Sequence, residues 1–167
     1  MARLIHQRVI FFLLAAGLAG IDWWSKRLMQ ETLQIEGVIP VFEGLRFVLV
    51  YNHGAAFGFL SSAGGWQRGL FILLAVMVSI YLGYRLWLAR PDERHFNLGL
   101  VFILGGAVGN LIDRIILGYV VDFIDIYFQN WHWPAFNVAD IAISVGAGIV
   151  ILDSFGIGRP SGKKDSS

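Results

Sequence analysis

The stretch F96-N-L-G-L-V-F-I-L-G-G-A-V-G-N-L-I-D-R114 decides the fold. From Phe96 to Ile112 it carries no ionisable side chain, then closes on Asp113 and Arg114. A helix rises 1.5 Å per residue, so about 20 residues cross a hydrocarbon core of about 30 Å. With its flanks the segment is long enough. It is not uniformly apolar, however. Gly106, Asn110 and Asp113 recur at helical spacing and so share one face. A polar face on a membrane span points into a bundle or a water-filled cavity.

Working outward, three further apolar segments stand at about Val9–Trp24, Gly69–Trp87 and Ala135–Phe155. With their flanks, spans are expected at residues 9–27, 67–88, 96–114 and 135–156. Amphipathic rings mark their ends, as expected at headgroup depth: Trp23, Trp24, Trp66, Tyr84, Trp87, Trp131 and Trp133. The composition agrees. Hydrophobic residues make up 56% of the 167, above the usual 45–50%, and mean hydropathy is +0.64. Arg3 and Arg8 before an apolar run, with G17-L-A19, also resemble a signal peptide. The three spans that follow, and the polar pair Asp22 and Lys26, favour a retained first span.

The expected architecture is an all-α membrane protein, a four-helix transmembrane bundle in one domain over residues 1–157. Residues 158–167 read as a disordered tail. With four spans both termini share one side, which collects eight of the 13 Lys and Arg residues. The positive-inside rule places that side in the cytoplasm. Segments 28–65 and 113–134 then face outward. In the first, V38-I-P-V-F-E-G-L-R-F-V-L-V50 reads as a short twisted strand pair turning at Gly44. The piece Y51-N-H-G-A-A-F-G-F-L60 reads as a tight turn and a short interfacial helix.

Several functions are excluded early. A net charge of +1 without a basic tract gives no pull toward nucleic acid. No cysteine is present, so disulfides, thiol nucleophiles and Cys-based metal sites are absent. His6, His53, His95 and His132 are scattered, and neither a metal nor a cofactor is expected. Ser25, Ser79 and Ser144 have no histidine at a suggestive spacing. Carboxylates remain. Asp22 and Lys26, an i,i+4 pair, can simply neutralise one another. Asp113 can pair with Arg114 to tether the third span. Asn137 can cap the fourth helix, with Asp140 closing an N-x-x-D capping box; spacing alone leaves Asp140 equally open to catalysis. Asp125 lies nearer the aqueous loop, where solvation accounts for it. Asp122 has the least structural reason to be where it is. V120-V-D-F-I124 is apolar, with no cation within seven residues, and burial there raises a carboxyl pKa. Two carboxylates meeting in a partly dry cavity share a proton, one serving as base toward water and the other polarising a carbonyl.

Glycines and small residues also recur at packing distance. Gly105 and Gly109 form G-x-x-x-G; Ala16 with Gly20, and Ser144 with Gly148, are small residues four apart. Asn137, Asp140, Ser144 and Gly148 make a second stripe toward the same cavity.

Five motifs lie in order: D22-W-W-S-K26, Y51-N-H-G-A-A-F57, G105-G-A-V-G-N-L-I-D-R114, V120-V-D-F-I124 and F136-N-V-A-D140. Together they closely resemble the bacterial lipoprotein signal peptidase family, signal peptidase II. The resemblance implies a four-span aspartic endopeptidase of the cytoplasmic membrane, with a small periplasmic β-cradle and surface helix over its site. It implies a diacylglyceryl-modified prolipoprotein as substrate, cut just before the lipidated cysteine, and inhibition by globomycin-type cyclic peptides. The family's catalytic pair falls on Asp122 and Asp140. Substrate-binding or dyad-supporting positions fall on Asn52, Gly54, Asn110, Arg114 and Asn137, and a structural polar pair on Asp22 and Lys26. Membrane lipid is the expected surround and a monomer the expected state. The alternative is a small proton-coupled transporter using buried carboxylates. That class would favour midplane carboxylates and often an internal repeat, and no repeat is visible.

Overall fold

The computed structural model describes residues 2–54 and 66–157. Four helices carry the described chain: α1 (Ala2–Glu36), α2 (Trp66–Trp87), α3 (Arg94–Ile116) and α4 (Val138–Ser154). Four strands accompany them: β1 (Ile39–Phe42), β2 (Leu45–Asn52), β3 (Val120–Phe128) and β4 (Trp131–His132). They form one sheet in the order β1-β2-β3-β4, with all neighbours antiparallel.

The helix around the opening stretch is the central one. Half of the most apolar window of α3 is buried inside the protein, against 11% for α1 and for α2. Glycines permit this. A Cβ on Gly105 would press on Leu18 and the Ala15 carbonyl of α1, and one on Gly109 would lie 2.5 Å from Asp22. On another face, a Cβ on Gly106 would collide with the Ala139 carbonyl of α4. Close backbone approach is how helices associate where lipid is as apolar as leucine. The other two small-residue pairs do not serve this way. Gly20 and Gly148 have open space where a Cβ would stand. The apolar core lies among α1, α2 and α3, around Ala15, Leu82, Leu86, Leu100, Val101 and Leu104.

α1, α2 and α3 are each long and apolar enough to cross a membrane. α1 runs to Glu36, well past the expected end at residue 27, because nothing in 28–36 breaks a helix. Gly37 stops it at φ +75°, donating to the Leu33 carbonyl at 3.0 Å. α4 begins later than expected. Its 17 residues rise about 25 Å, and the residues before Val138 belong to the sheet instead. Phe136 exchanges backbone hydrogen bonds with Ile124, and Trp133 donates to Ile126 at 2.8 Å.

The expected strand pair is present as β1 and β2, turning at Gly44 with φ +96°. Pro40 sits on edge strand β1, where a missing donor costs little. The sheet is larger than expected. Residues 120–128, read from the sequence only as part of an outward connection, form its longest strand. β3 pairs along β2, with Asn52 opposite Val120 and Arg46 opposite Asp125. The expected interfacial helix falls mostly on 55–60, outside the described residues, as does the expected tail at 158–167.

Candidate active site

The C-terminal half of α1, the C-terminal end of α3, the N-terminal end of α4 and strands β2 and β3 meet at one place. Each contributes polar side chains. α1 supplies Asp22 and Lys26, one turn apart and almost wholly buried. Lys26 Nζ lies 2.7 Å from Asp22 and 3.1 Å from Asp113 of α3. It also donates to Asn110 Oδ1 at 2.8 Å. Asp113 accepts from the Val121 backbone N–H at 3.1 Å, and Asp22 from the Ala139 N–H at 2.8 Å. One ammonium thus ties two carboxylates, and those carboxylates fasten β3 and α4 to the bundle. The expected pair of Asp113 with Arg114 does not form. Adjacent helical residues point about 100° apart, and the Asp113 face is the one turned to Lys26. Arg114 instead donates to the Asn110 carbonyl at 3.2 Å and lies over the Phe71 ring.

Above this charged layer sits an amide layer. Asn110 is oriented by Lys26: with Oδ1 accepting from the ammonium, its Nδ2 donates to Asp140 Oδ1 at 2.9 Å. Asn137 is buried and caps α4. Its Oδ1 accepts the Asp140 N–H at 3.0 Å, and Asp140 Oδ2 accepts the Asn137 N–H at 3.2 Å. The capping box read from the sequence is therefore present. It does not exclude chemistry, because it holds the Asp140 carboxyl in one orientation while Asn110 binds its other oxygen. The free end of Asn137 reaches across to β3, where Nδ2 donates to Asp122 Oδ1 at 2.6 Å. Asn52, at the end of β2, donates to Asp122 Oδ2 at 3.0 Å. Asn52 Oδ1 in turn accepts the N–H of Gly54, whose φ is +91°. A Cβ at Gly54 would run into the Phe71 ring, so glycine is required twice over.

Asp122 is 2% exposed, and no ion pair to it is found among the described residues. Burial pushes its carboxyl up to about 6, with the nearby Asp140 charge adding to the rise; the Asn52 and Asn137 hydrogen bonds oppose it. Asp125 differs. It is buried rather than solvated, which corrects the sequence reading. Arg46 Nε lies 2.6 Å away and His132 Nδ1 3.0 Å. Burial alone would raise this carboxyl, but the Arg46 and His132 hydrogen bonds and charges outweigh it and leave it below its ordinary value.

The family described as Signal peptidase (SPase) II matches residues 14–156. The chain belongs to that family. Among signal peptidase II relatives, the lipoprotein signal peptidase of Alteromonas mediterranea is 44% identical over 93% of this chain and 86% of its own. That of Acinetobacter baumannii is 49% identical over 81% and 77%, and that of Shewanella pealeana 50% identical over 82% and 77%. A bacterial membrane enzyme solved by the in meso method at 2.3 Å resolution superposes with a TM-score of 0.75 at 27% identity, covering 95% of this chain and 93% of that one. Membership in signal peptidase II sets the transporter alternative aside.

The sequence named Asp122, Asp140, Asn52, Asn110, Asn137, Asp22 and Lys26 separately, and the fold joins them through direct hydrogen bonds and ion pairs. Gly54 joins through Asn52, and Arg114 through the Asn110 carbonyl. Sequence reasoning missed the Lys26–Asp113 and Lys26–Asn110 contacts, since a separation of 84 residues leaves no local spacing to read. It also missed Phe71. The nearest signal was a phenylalanine one turn into α2, which composition alone does not distinguish from a lipid-facing ring.

Proposed function

We infer that this protein is a membrane aspartic endopeptidase that removes the signal peptide from diacylglyceryl-modified prolipoproteins, cutting just before the lipidated cysteine. One observation carries the reading. A single residue, Asn137, holds both carboxylates, Asp122 at 2.6 Å and Asp140 at 3.2 Å, and their direct hydrogen bonds come from amides, with Arg114 and Lys26 acting on them only from a distance. Carboxylates bound by amides keep their capacity to take and give protons, whereas ones neutralised by an ammonium do not.

In the proposed mechanism the pair begins with one proton between its members, because two carboxylates that share a partly dry site do not both ionise. The ionised carboxylate takes a proton from water as its oxygen attacks the scissile carbonyl carbon. The protonated carboxyl gives its proton to the carbonyl oxygen, producing a tetrahedral diol. Collapse re-forms the carbonyl, breaks the C–N bond and delivers a proton to the leaving amine. One water is consumed and the pair regains its starting proton. No cofactor is required. Asn52 and Gly54 bind the extended substrate backbone beside Asp122, while Asn110, Arg114 and Asn137 support the dyad; Asp22 and Lys26 are structural.

The setting follows from the same reading. Residues 1–157 act as one four-span domain, monomeric, in the bacterial inner membrane. Both termini are cytoplasmic, and the sheet is the cradle over a site near the periplasmic face. A lipid-bearing cysteine is confined to the membrane surface, and the sheet end of the bundle is where water and that surface meet.

The test is cleavage of a diacylglyceryl-modified precursor by purified protein. Wild type should cut it. Asp122→Asn and Asp140→Asn, folded by thermal unfolding, should not. A folded single variant with normal cleavage would end the two-aspartate mechanism.

A further inference from the structure

The polar stripe expected on α4 gives the dyad no support beyond the first turn: Asn137 is buried, but Ser144 stands exposed. Support comes instead from α2. That helix is largely bare on the side of Leu70, Leu73 and Leu74, which are 39%, 55% and 42% exposed. Phe71, among them, is half-buried. Its ring packs so closely on Gly54 that a Cβ there would overlap the ring carbons Cδ2 and Cε2. The Arg114 guanidinium lies over the same ring, 5.6 Å from its centroid. One side chain of α2 thus touches both the residues just past β2 and the end of α3.

The start of α2 is itself anchored. Arg68, three residues before Phe71 and so on the same helical face, donates to the carbonyls of Arg114 at 3.2 Å and Ile115 at 3.1 Å. These belong to the last turn of α3, whose carbonyls have no partner within the helix. Gly118, at φ +88°, makes room for the guanidinium, since a Cβ there would stand 3.0 Å from Nη1. Each partner of the Phe71 ring leads to one carboxylate. The Gly54 N–H donates to Asn52 Oδ1 at 2.9 Å, which leaves Asn52 Nδ2 turned to Asp122. Arg114 donates to the Asn110 carbonyl, and Asn110 Nδ2 donates to Asp140. The Arg114 charge also acts on both carboxylates from a distance. Among the described residues, Asp140 of α4 and Lys26 of α1 are the other charges that bear on Asp122.

We propose that Phe71 is a positioning residue for the dyad: its ring holds Gly54, and through it the Asn52 amide, against Asp122, and holds Arg114 on the Asp140 side. The reaction it serves rests on the peptidase reading above, while the contacts stand without it. An aromatic ring suits both partners. Gly54 has no side chain, so its backbone can lie against the ring, and a guanidinium is drawn to an aromatic face. An aliphatic side chain of similar bulk fills the space but does not attract the guanidinium. Without the ring, the Gly54 backbone is free to shift and the Asn52 amide to rotate. Asp122 then loses a hydrogen bond that favours its ionised form. The ring moves no proton; it acts through Asn52 and Arg114, and small displacements at a reacting centre cost large factors in rate.

The test uses full-length protein in detergent and two readouts. The first is infrared titration of the Asp122 carboxyl, identified by its loss in Asp122→Asn, and it needs no substrate. The second is the pH profile of kcat/KM on the diacylglyceryl-modified precursor. Phe71→Leu keeps apolar bulk without the ring. Phe71→Met does so with a more adaptable chain, should Phe71→Leu impair folding. Phe71→Tyr keeps the ring, and Leu73→Ala trims an exposed side chain of the same helix. In Phe71→Leu or Phe71→Met the Asp122 titration should move to higher pH and kcat/KM should fall roughly tenfold. Adding Asn52→Ala should then cost less than the product of the two single losses. Phe71→Tyr and Leu73→Ala should titrate as wild type. An unmoved titration in folded Phe71→Leu or Phe71→Met, single losses that multiply, a Phe71→Tyr that titrates as Phe71→Leu does, or failure of both replacements to fold would assign Phe71 to packing alone and overturn the proposal. Wild-type protein that leaves the precursor uncut, with the titration moving as expected in Phe71→Leu, would overturn the peptidase reading and leave the ring's hold on Asp122 in place.

Discussion

Asp122 and Asp125 stand three residues apart on β3, and both are buried. The strand turns them to opposite faces. Asp125 meets Arg46 and His132 and is held below its ordinary pKa. Asp122 meets only the amides of Asn52 and Asn137 and is pushed up to about 6. The lesson lies in the partners rather than the burial. A cation removes a carboxylate's charge from circulation; an amide positions it and leaves the proton free to move. Asp22 and Asp113, tied to Lys26, fall with Asp125, and Asp140, held by Asn110 and the Asn137 N–H, falls with Asp122.

The sharpest way to break this comparison is Asp122→Asn. Activity should fall by about 10⁴-fold, the upper range for a lost acid–base group. Stability should move the other way. With a folded pKa near 6 against about 3.9 unfolded, the native state holds more protons between those values, so wild-type stability falls as pH rises from about 4 to 6. Asn lacks that deficit, although its NH₂ cannot accept the bond from one of the two donors. Thermal unfolding in detergent at pH 7 should show the variant more stable, by up to about 2 kcal/mol. At pH 4 the advantage should disappear. A stability difference that ignores pH would contradict the raised carboxyl.

Next in size is Lys26→Met. It leaves Asp22 and Asp113 buried without their cation, which costs about 3–5 kcal/mol where a buried charge loses its partner. Asn110 also loses the contact that orients it toward Asp140. Unfolding should shift sharply downward, and surviving folded protein should cleave poorly. A variant with wild-type stability would show that the charged layer does not anchor the bundle.

Asn52→Ala should be milder, with turnover down about 10–100-fold and the fold retained. The lost hydrogen bond favoured the ionised form of Asp122, so its pKa should rise further. The limb of the kcat/KM profile near pH 6 should therefore move to higher pH. Lower turnover with an unmoved limb would place Asn52 on the substrate alone.

Much of this site was legible because its parts are local. An i,i+4 pair, a capping box and two polar positions on one face of α3, Asn110 and Asp113, are all visible as spacing. Asp122 was visible by contrast with its apolar neighbours. What the sequence hid is long-range. β3 was missed because a run of β-branched and aromatic residues between two spans reads equally as an outer connection, and only β2 distinguishes it. The same pairing hides Arg46, 79 residues from Asp125, so solvation looked sufficient there. α1 overran its expected end for a different reason: hydropathy stops at the interface, but a helix continues until a residue such as Gly37 stops it.

The smallest expected effect belongs to Asp125→Asn, and it tests the comparison from its other side. Arg46 keeps a third of its side chain exposed and His132 more, so both regain water when the carboxylate goes. The loss should be no more than about 1 kcal/mol, as for other partly exposed pairs. Because the folded pKa lies below the ordinary value, that contribution is present above about pH 4 and is lost as pH falls through the folded value. Wild-type and variant unfolding curves should therefore differ slightly at neutral pH and converge in acid. Cleavage should stay within about twofold of wild type, since the carboxylate faces away from the dyad and its charge is already matched. A large loss of cleavage at unchanged stability would mean that a cation does not take a carboxylate out of the chemistry, and the distinction between the two faces of β3 would fail.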